Sequence, residues 1–248
     1  MTRNDEVALC EPLIAKYRSK TITEPEFKKA IRFKWFRLSC MYFIKDKDGR
    51  KVLFTPNVAQ KTYYIDSHQS DIILKARQLG FTTFKMLHDL DSCLFTKNMS
   101  CGCIAHSDRD AKDIYRNKIR FAYQNIPQKM IKLLAMMGYA FPVPRNDKDN
   151  GYVFSNGSSI GVSTGYRGGT LQSLHVSEFG KICKKYPDKA QEIVTGAFNA
   201  VGKSGTVTIE STAEGKQGYF YSYCTDARKL LVSGVQPGPM DFRFHFFP

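Results

Sequence analysis

The stretch IILKARQLGFTT, residues 72–83, decides the fold. IILKA reads as a short buried strand, Gly80 permits a tight turn, and TTFKMLHDLDSCLF continues with the length and apolar content of a helix. Strand, glycine turn and helix N-terminus in this order build a phosphate-binding loop, because backbone N–H groups curl into an anion nest at the positive end of the helix dipole. Such a loop also needs a cation and a hydroxyl for Mg2+. Phe81 stands where the lysine usually follows the glycine, so the cation comes from upstream, from Lys75 or Arg77, while Thr82 or Thr83 offers the hydroxyl. Ala76, Gln78 and Leu79 complete the loop. A strand, glycine and helix are more often a packing turn than a nucleotide site, so the surroundings carry the case.

Downstream, apolar strands alternate with helices. MSCGCIA is a second strand and SDRDAKDIYRNKIRFAYQNI a helix capped by Ser107. GYVFSNGSSIGVSTG is a hairpin around Asn156-Gly157, and SLHVSEF and GTVTIEST are buried strands separated by the helical PDKAQEIVTGAF. QGYFYSYCTDARKLL is a helix and DFRFHFF a last strand. The alternation predicts an α/β fold with a mostly parallel central sheet flanked by helices. Upstream, TEPEFKKAIRFKWFRL opens with a Thr23/Glu26 capping box and places Phe27, Ala30, Ile31 and Trp35 on one face of a single helix. MYFIKDKDGRKVLFT is a hairpin turning at Asp48-Gly49, and PNVAQKTYYIDSH a helix capped by Asn57.

The chain has 248 residues, 42% of them hydrophobic and 13% aromatic, as in a folded protein. No apolar run approaches the ~18 residues a membrane span needs. The N-terminus MTRNDEVALCEPL has acidic residues and no apolar segment, which excludes a secretory signal and predicts a cytoplasmic setting without membrane contact. Seven cysteines, an odd number, predict free thiols and no disulfide. Lys and Arg outnumber Asp and Glu 37 to 23, and the net +14 favours a polyanionic partner, nucleic acid first.

Three further segments add chemistry. LHVSEFG ends an apolar strand on Glu178, where a nucleotide enzyme places the acid that orients water. The residue before it is Ser177 rather than the usual aspartate; it can bond a metal-bound water but brings no charge. VTIESTAEG ends a strand on Glu210, Ser211 and Thr212, polar groups positioned to sense a γ-phosphate. TGYRGGT exposes Arg167 among glycines as a candidate finger toward a phosphate.

Order, spacing and placement at successive strand ends resemble the ATPase part of the large terminase subunit, the DNA-packaging motor of tailed double-stranded DNA bacteriophages. KARQLGFTT resembles a deviant Walker A, LHVSEFG a Walker B, STAEG the coupling motif, and FTPNVAQKTYY the adenine-side glutamine motif, with Gln60 as the base reader. The resemblance covers residues 51–248 and leaves 1–50 as a helical lead-in. It implies a P-loop NTPase fold of the additional-strand (ASCE, RecA-like) class that hydrolyses ATP with Mg2+. Lys75 or Arg77 would bind the phosphates, and Thr82, Ser177 and Glu178 would hold the metal, partly through water. Glu178, Arg77 and Arg167 would be catalytic, with Ser211, Thr212 and Ala213 coupling. The implied partners are double-stranded DNA, the portal protein, the small terminase subunit and further copies in a homo-oligomeric ring. The implied place is the host cytoplasm, at the procapsid portal. The family's nuclease domain would begin where this sequence stops, so no nuclease activity is expected of it.

Other features read more plainly. Arg109, Lys112, Arg116 and Arg120 form a helical stripe opposite Ala111, Ile114 and Tyr115, a solvated face that would also suit DNA phosphates. Cys101 and Cys103 share a strand face without a second pair at zinc spacing. His175, inside an apolar strand, reads as a buried, hydrogen-bonded histidine. Two rivals to the motor stay open: a non-hydrolysing nucleic-acid-binding module with a degenerate loop, and a helicase-like ATPase.

Overall fold

The computed structural model describes residues 1–148, 150–166 and 169–248. Helices α1 (Arg3–Arg18), α2 (Glu24–Ala30) and α3 (Lys34–Cys40) precede the hairpin β1 (Phe43–Lys45) and β2 (Lys51–Leu53) and helix α4 (Val58–Asp66). Then follow β3 (Ser70–Lys75), α5 (Phe81–Phe95), β4 (Ser100–Ile104), α6 (Asp108–Ile114), a π-helical turn (Tyr115–Arg120), α7 (Phe121–Gln124) and α8 (Gln128–Met136). The strands β5 (Pro144–Lys148), β6 (Gly151–Phe154), β7 (Ser159–Ser163) and β8 (Leu171–Ser177) lead to α9 (Phe179–Lys185) and α10 (Pro187–Glu192). Last come β9 (Val201–Ser211), α11 (Gly218–Ser233) and β10 (Arg243–Phe247).

Among the described residues, eight strands form one sheet in the order β10-β3-β9-β8-β4-β7-β6-β5. β10 to β7 run parallel, and β6 and β5 extend the edge antiparallel. β9 lies between the strand that feeds the glycine loop and the strand that ends at Glu178, which is the additional-strand arrangement of an α/β P-loop NTPase. Apolar side chains of β3 alternate between two cores: Ile73 joins α5 and the N-terminal helices, and Ile72 joins α9, α10 and α11. The parallel register pairs Phe247 with Lys75, Leu74 with Ser211, and Ser177 with Glu210, so these residues meet at one carboxyl edge.

The expected capping box at Thr23 and cap at Asn57 are present, the latter also closed into a capping box by Gln60, and the Asp48-Gly49 turn closes β1 and β2. The segment 23–38, expected as one helix, is two. The chain opens after Ala30, and the Arg37 guanidinium turns back to donate to the carbonyls of Ile31 (3.0 Å) and Arg32 (2.7 Å). Arg37 is itself fixed by a bidentate pair with the buried Asp91 of α5, Nε–Oδ1 2.8 Å and Nη2–Oδ2 2.7 Å, which also accepts from the Tyr42 hydroxyl at 2.8 Å. The N-terminal helices therefore share their core and one buried ion pair with the helix behind the glycine loop. All seven cysteines are free and buried, as their odd number suggested. No helix among the described residues is long and apolar enough to cross a membrane.

Candidate nucleotide and metal site

Phe81, the residue out of place in the motif, is buried at the first position of α5, with its ring 5.8 Å from Tyr63 and 5.0 Å from Phe247. It anchors the loop to the core and leaves the mouth of the loop to backbone. Gly80 takes φ 70° and Gln78 φ 65°, both left-handed, so the chain doubles back onto the helix N-terminus. Among the described residues, the N–H groups from Arg77 to Thr83 donate to no protein acceptor, and α5 has no side-chain cap. Unmatched N–H groups at the positive end of a long helix form a ready anion site.

The loop's carbonyl side is braced from α4. Gln60 Nε2 donates to Leu79 O (3.0 Å) and Gly80 O (3.1 Å), and Asn57 Nδ2 donates to Leu79 O (3.1 Å). Gln60 is buried, and its Oε1 accepts from Asn57 N at 3.1 Å. Both Nε2 hydrogens are committed to the loop, so reading a base through that nitrogen would require the loop to release them. From the other side, Lys47 in the β1–β2 turn donates to Gln78 Oε1 at 2.9 Å.

Behind the loop lies a buried charged cluster. Lys75, at the end of β3, places Nζ 3.3 Å from Glu178 Oε1 and 3.0 Å from Glu210 Oε2. Glu210 is fully buried, and its Oε1 accepts from Thr82 Oγ1 (2.7 Å) and Ser177 Oγ (3.0 Å). Burial alone would raise the Glu210 carboxyl, but His175, Lys75 and the Thr82 hydroxyl outweigh it and hold the group at about 2. Burial would likewise lower Lys75, and the two carboxylates reverse this and raise it. Arg77, the rival cation, is exposed and makes no ion pair among the described residues. Lys75 thus occupies the strand end beneath the loop, and Arg77 the outer rim. Glu178 caps α9 in a left-handed conformation, φ 55°, with its side chain about one-third exposed.

The remaining predicted residues divide. Ser211 is fully buried with its Oγ unpartnered among the described residues, and Thr212 follows it half-buried. Both lie against α9: a Cβ added to Gly180 would come within 2.8 Å of Ser211 Oγ and 3.2 Å of Thr212 O. The segment after β9 is thereby in contact with the helix that begins at Glu178, while Ala213 is exposed. Thr83 is half-buried beside Thr82, Ala76 N donates to Phe247 O at 2.8 Å, and Arg167 lies outside the described residues. The expectation for His175 needs correction. It is fully buried as expected, yet among the described residues neither ring nitrogen has a hydrogen-bond partner, and Nε2 stands 3.6 Å from Glu210 Oε1, beyond bonding distance. The acceptor beside it, the Glu210 carboxylate, is engaged by Thr82, Ser177 and Lys75 instead. In the basic stripe Arg109, Lys112 and Arg116 are exposed, and Arg120 pairs with Asp147 at 2.9 Å. Cys101 and Cys103 pack in the core, and no group of three or more His, Cys, Asp or Glu suited to a metal occurs among the described residues. The sequence names Glu210 only among polar groups at a strand end that could sense a γ-phosphate; its contacts with Lys75, Thr82 and Ser177 are what the structure adds.

Loop, strand order and edge define the fold class as a P-loop NTPase. No family model matches the sequence, and no curated protein matches it. Among solved structures the chain is similar to the large terminase ATPase domain of Thermus phage P74-26, with a TM-score of 0.51 at 12% identity over 78% of this chain and 81% of that one. It is also similar to the large terminase of bacteriophage HK97, with a TM-score of 0.55 at 14% identity over 78% of this chain and 40% of that one. The chain shares the fold of these terminase ATPase domains, and it spans less than half of the HK97 protein's length.

Proposed function

We propose that this chain hydrolyses ATP with Mg2+ at the carboxyl edge of its sheet and drives double-stranded viral DNA into a procapsid. One observation carries the proposal: a buried lysine at the end of β3 stands 3.3 Å from the Glu178 carboxylate, behind a loop whose N–H groups from Arg77 to Thr83 have no protein partner among the described residues. Phosphate oxygens would take those N–H groups, with Lys75 exchanging its carboxylates for them. The hydroxyls of Thr82 and Ser177 with nearby carboxylates form an all-oxygen donor set suited to Mg2+. When bound, Mg2+ would neutralise charge on the phosphates. Glu178, freed from Lys75, would orient the attacking water and accept its proton. Ser211 and Thr212, against Gly180 of α9, would transmit loss of the γ-phosphate. Arg77 would be the second choice for the loop's cation after Lys75, Arg167 would serve a neighbouring subunit's nucleotide, and Gln60 would link the adenine side to the loop.

The fold likeness supports a motor working at a portal protein with a small terminase subunit, as a ring of copies in the host cytoplasm. The net +14 supports a grip on DNA phosphates without sequence reading. Steady-state ATPase assays on wild type, Glu178→Ala and Lys75→Ala test the chemistry. Turnover in wild type with loss in both variants is expected; equal rates in all three would overturn the catalytic assignment and leave a non-hydrolysing nucleic-acid binder. Unwinding of a tailed duplex would instead identify a helicase.

A further inference from the structure

Ser177, the residue before the water-orienting acid, brings no charge to a position where P-loop ATPases usually carry an aspartate. The parallel β8–β9 register pairs it with Glu210 on the next strand. Paired residues on adjacent strands project to the same face, and the Glu210 carboxylate reaches both Ser177 Oγ (3.0 Å) and Thr82 Oγ1 (2.7 Å), the hydroxyl on the metal side of the loop. Glu210 is wholly buried. A buried carboxylate needs a compensating cation, and here Lys75 provides it, Nζ to Oε2 3.0 Å. Lys75 is also the loop's cation for phosphates. Once it turns to them, Glu210 is left without compensation while still bonded to the metal-side hydroxyl, and a divalent ion entering with the phosphates restores the balance. Beneath the carboxylate, His175 is fully buried with neither ring nitrogen hydrogen-bonded among the described residues, so the cluster's polar contacts are incomplete there.

We propose that Glu210 is the metal-shell carboxylate of this site, moved one strand across the sheet from the usual position at 177. The assignment rests on the Mg-ATP reading above. It separates from a purely structural role by sign: a carboxylate that only neutralises Lys75 would, when removed, free the lysine and tighten nucleotide binding with or without metal. A metal-shell carboxylate, when removed, weakens the metal-dependent part alone.

The test uses the full chain and Mn2+ as probe, with metal affinity followed by electron paramagnetic resonance in the presence of a non-hydrolysable ATP analogue. Binding of a fluorescent ATP analogue in EDTA gives the metal-free term. Glu210→Gln is expected to weaken Mn2+ binding about 10-fold or more, with metal-free nucleotide binding retained or tightened. Ser177→Asp combined with Glu210→Gln returns the carboxylate to the usual strand and is expected to recover most of the loss. Glu210→Asp keeps the charge but draws it back from Thr82, and an intermediate loss is expected; it serves as the test should the glutamine variant fail to fold. Wild-type Mn2+ affinity in Glu210→Gln or, where only it folds, in Glu210→Asp overturns the inference and leaves the ATPase reading standing. A wild-type chain that binds no metal–nucleotide overturns both.

Discussion

Replacing Lys75 by methionine keeps a flexible side chain of similar length and removes only the charge. Glu210 then loses the cation 3.0 Å away in a site where the lysine side chain is 6% exposed and the glutamate 0%. Breaking a buried pair from one side costs about 3–5 kcal/mol. The hydroxyls of Thr82 and Ser177 still donate to Glu210 Oε1 and place the loss at the lower end, about 3 kcal/mol. The Lys75–Glu178 contact adds little, because Glu178 is one-third exposed and its charge is screened by water. At about 2–4 °C per kcal/mol for a chain of this size, Tm falls by roughly 6–12 °C. Circular dichroism melts at pH 7 of wild type, Lys75→Met and Lys75→Met with Glu210→Gln read this out. The double variant, with no stranded charge, is expected to regain at least half of the loss. A single variant melting within about 2 °C of wild type, or a double variant no better than the single, would refute the buried-pair account.

Phe81→Lys, which restores the usual loop lysine, puts a charge between Tyr63 and Phe247; a loss of about 3 kcal/mol or more in urea unfolding and no gain in nucleotide affinity are expected. Gln60→Ala removes two donors from the loop carbonyls, and a loss of about 1–2 kcal/mol of loop order should weaken fluorescent nucleotide binding roughly 10-fold with the melting curve little changed. Arg37→Met strands Asp91 in the core and leaves the carbonyls at the α2–α3 break unmatched; about 3–5 kcal/mol should be lost in urea titrations. For pH, the Glu210 carboxyl lies below its ordinary 4.5, at about 2 in the folded chain, so its contribution is complete above 4.5 and is lost as pH falls toward 2. From pH 5 to pH 3 wild type should therefore lose about 2 kcal/mol more than Glu210→Gln; parallel urea midpoints for the two would count against it.

The path of the sheet was readable because the strands at 72–76, 99–105, 173–179 and 205–212 are short apolar runs between turn and helix signals, which leaves few alternatives for a parallel α/β chain. Caps at Thr23, Asn57 and Ser107 could be read for a local reason, since the cap and its partner lie within three residues. What escaped depends on contacts distant in sequence. The break after Ala30 is held by Arg37 through Asp91, and nothing in the helical periodicity of residues 23–38 shows it. Helix α8 and strand β5 escaped as well. β5 opens on proline and runs polar, PRNDK, so it lacks an apolar run and is set by pairing with β6. Within the site, Lys75, Thr82 and Glu178 stand out as chemistry at strand and helix ends. Glu210 reads only as one of several polar groups at a strand end, because its neighbours Lys75 and Thr82 come from β3 and α5, more than a hundred residues earlier.

The left-handed backbone at Gln78 and Glu178 sets stability against selection. A non-glycine residue at φ 65° or 55° costs about 1 kcal/mol that glycine would not. Random drift favouring a sturdier chain therefore pulls both positions toward glycine, but with opposite consequences. At 78 the change gives up one contact with Lys47 and leaves the nest of N–H groups intact. At 178 it deletes the acid beside Lys75. A library screened only for heat resistance would enrich Glu178→Gly and so collect robust chains without the acid, whereas one screened for the proposed ATP turnover would accept glycine at 78 and reject it at 178.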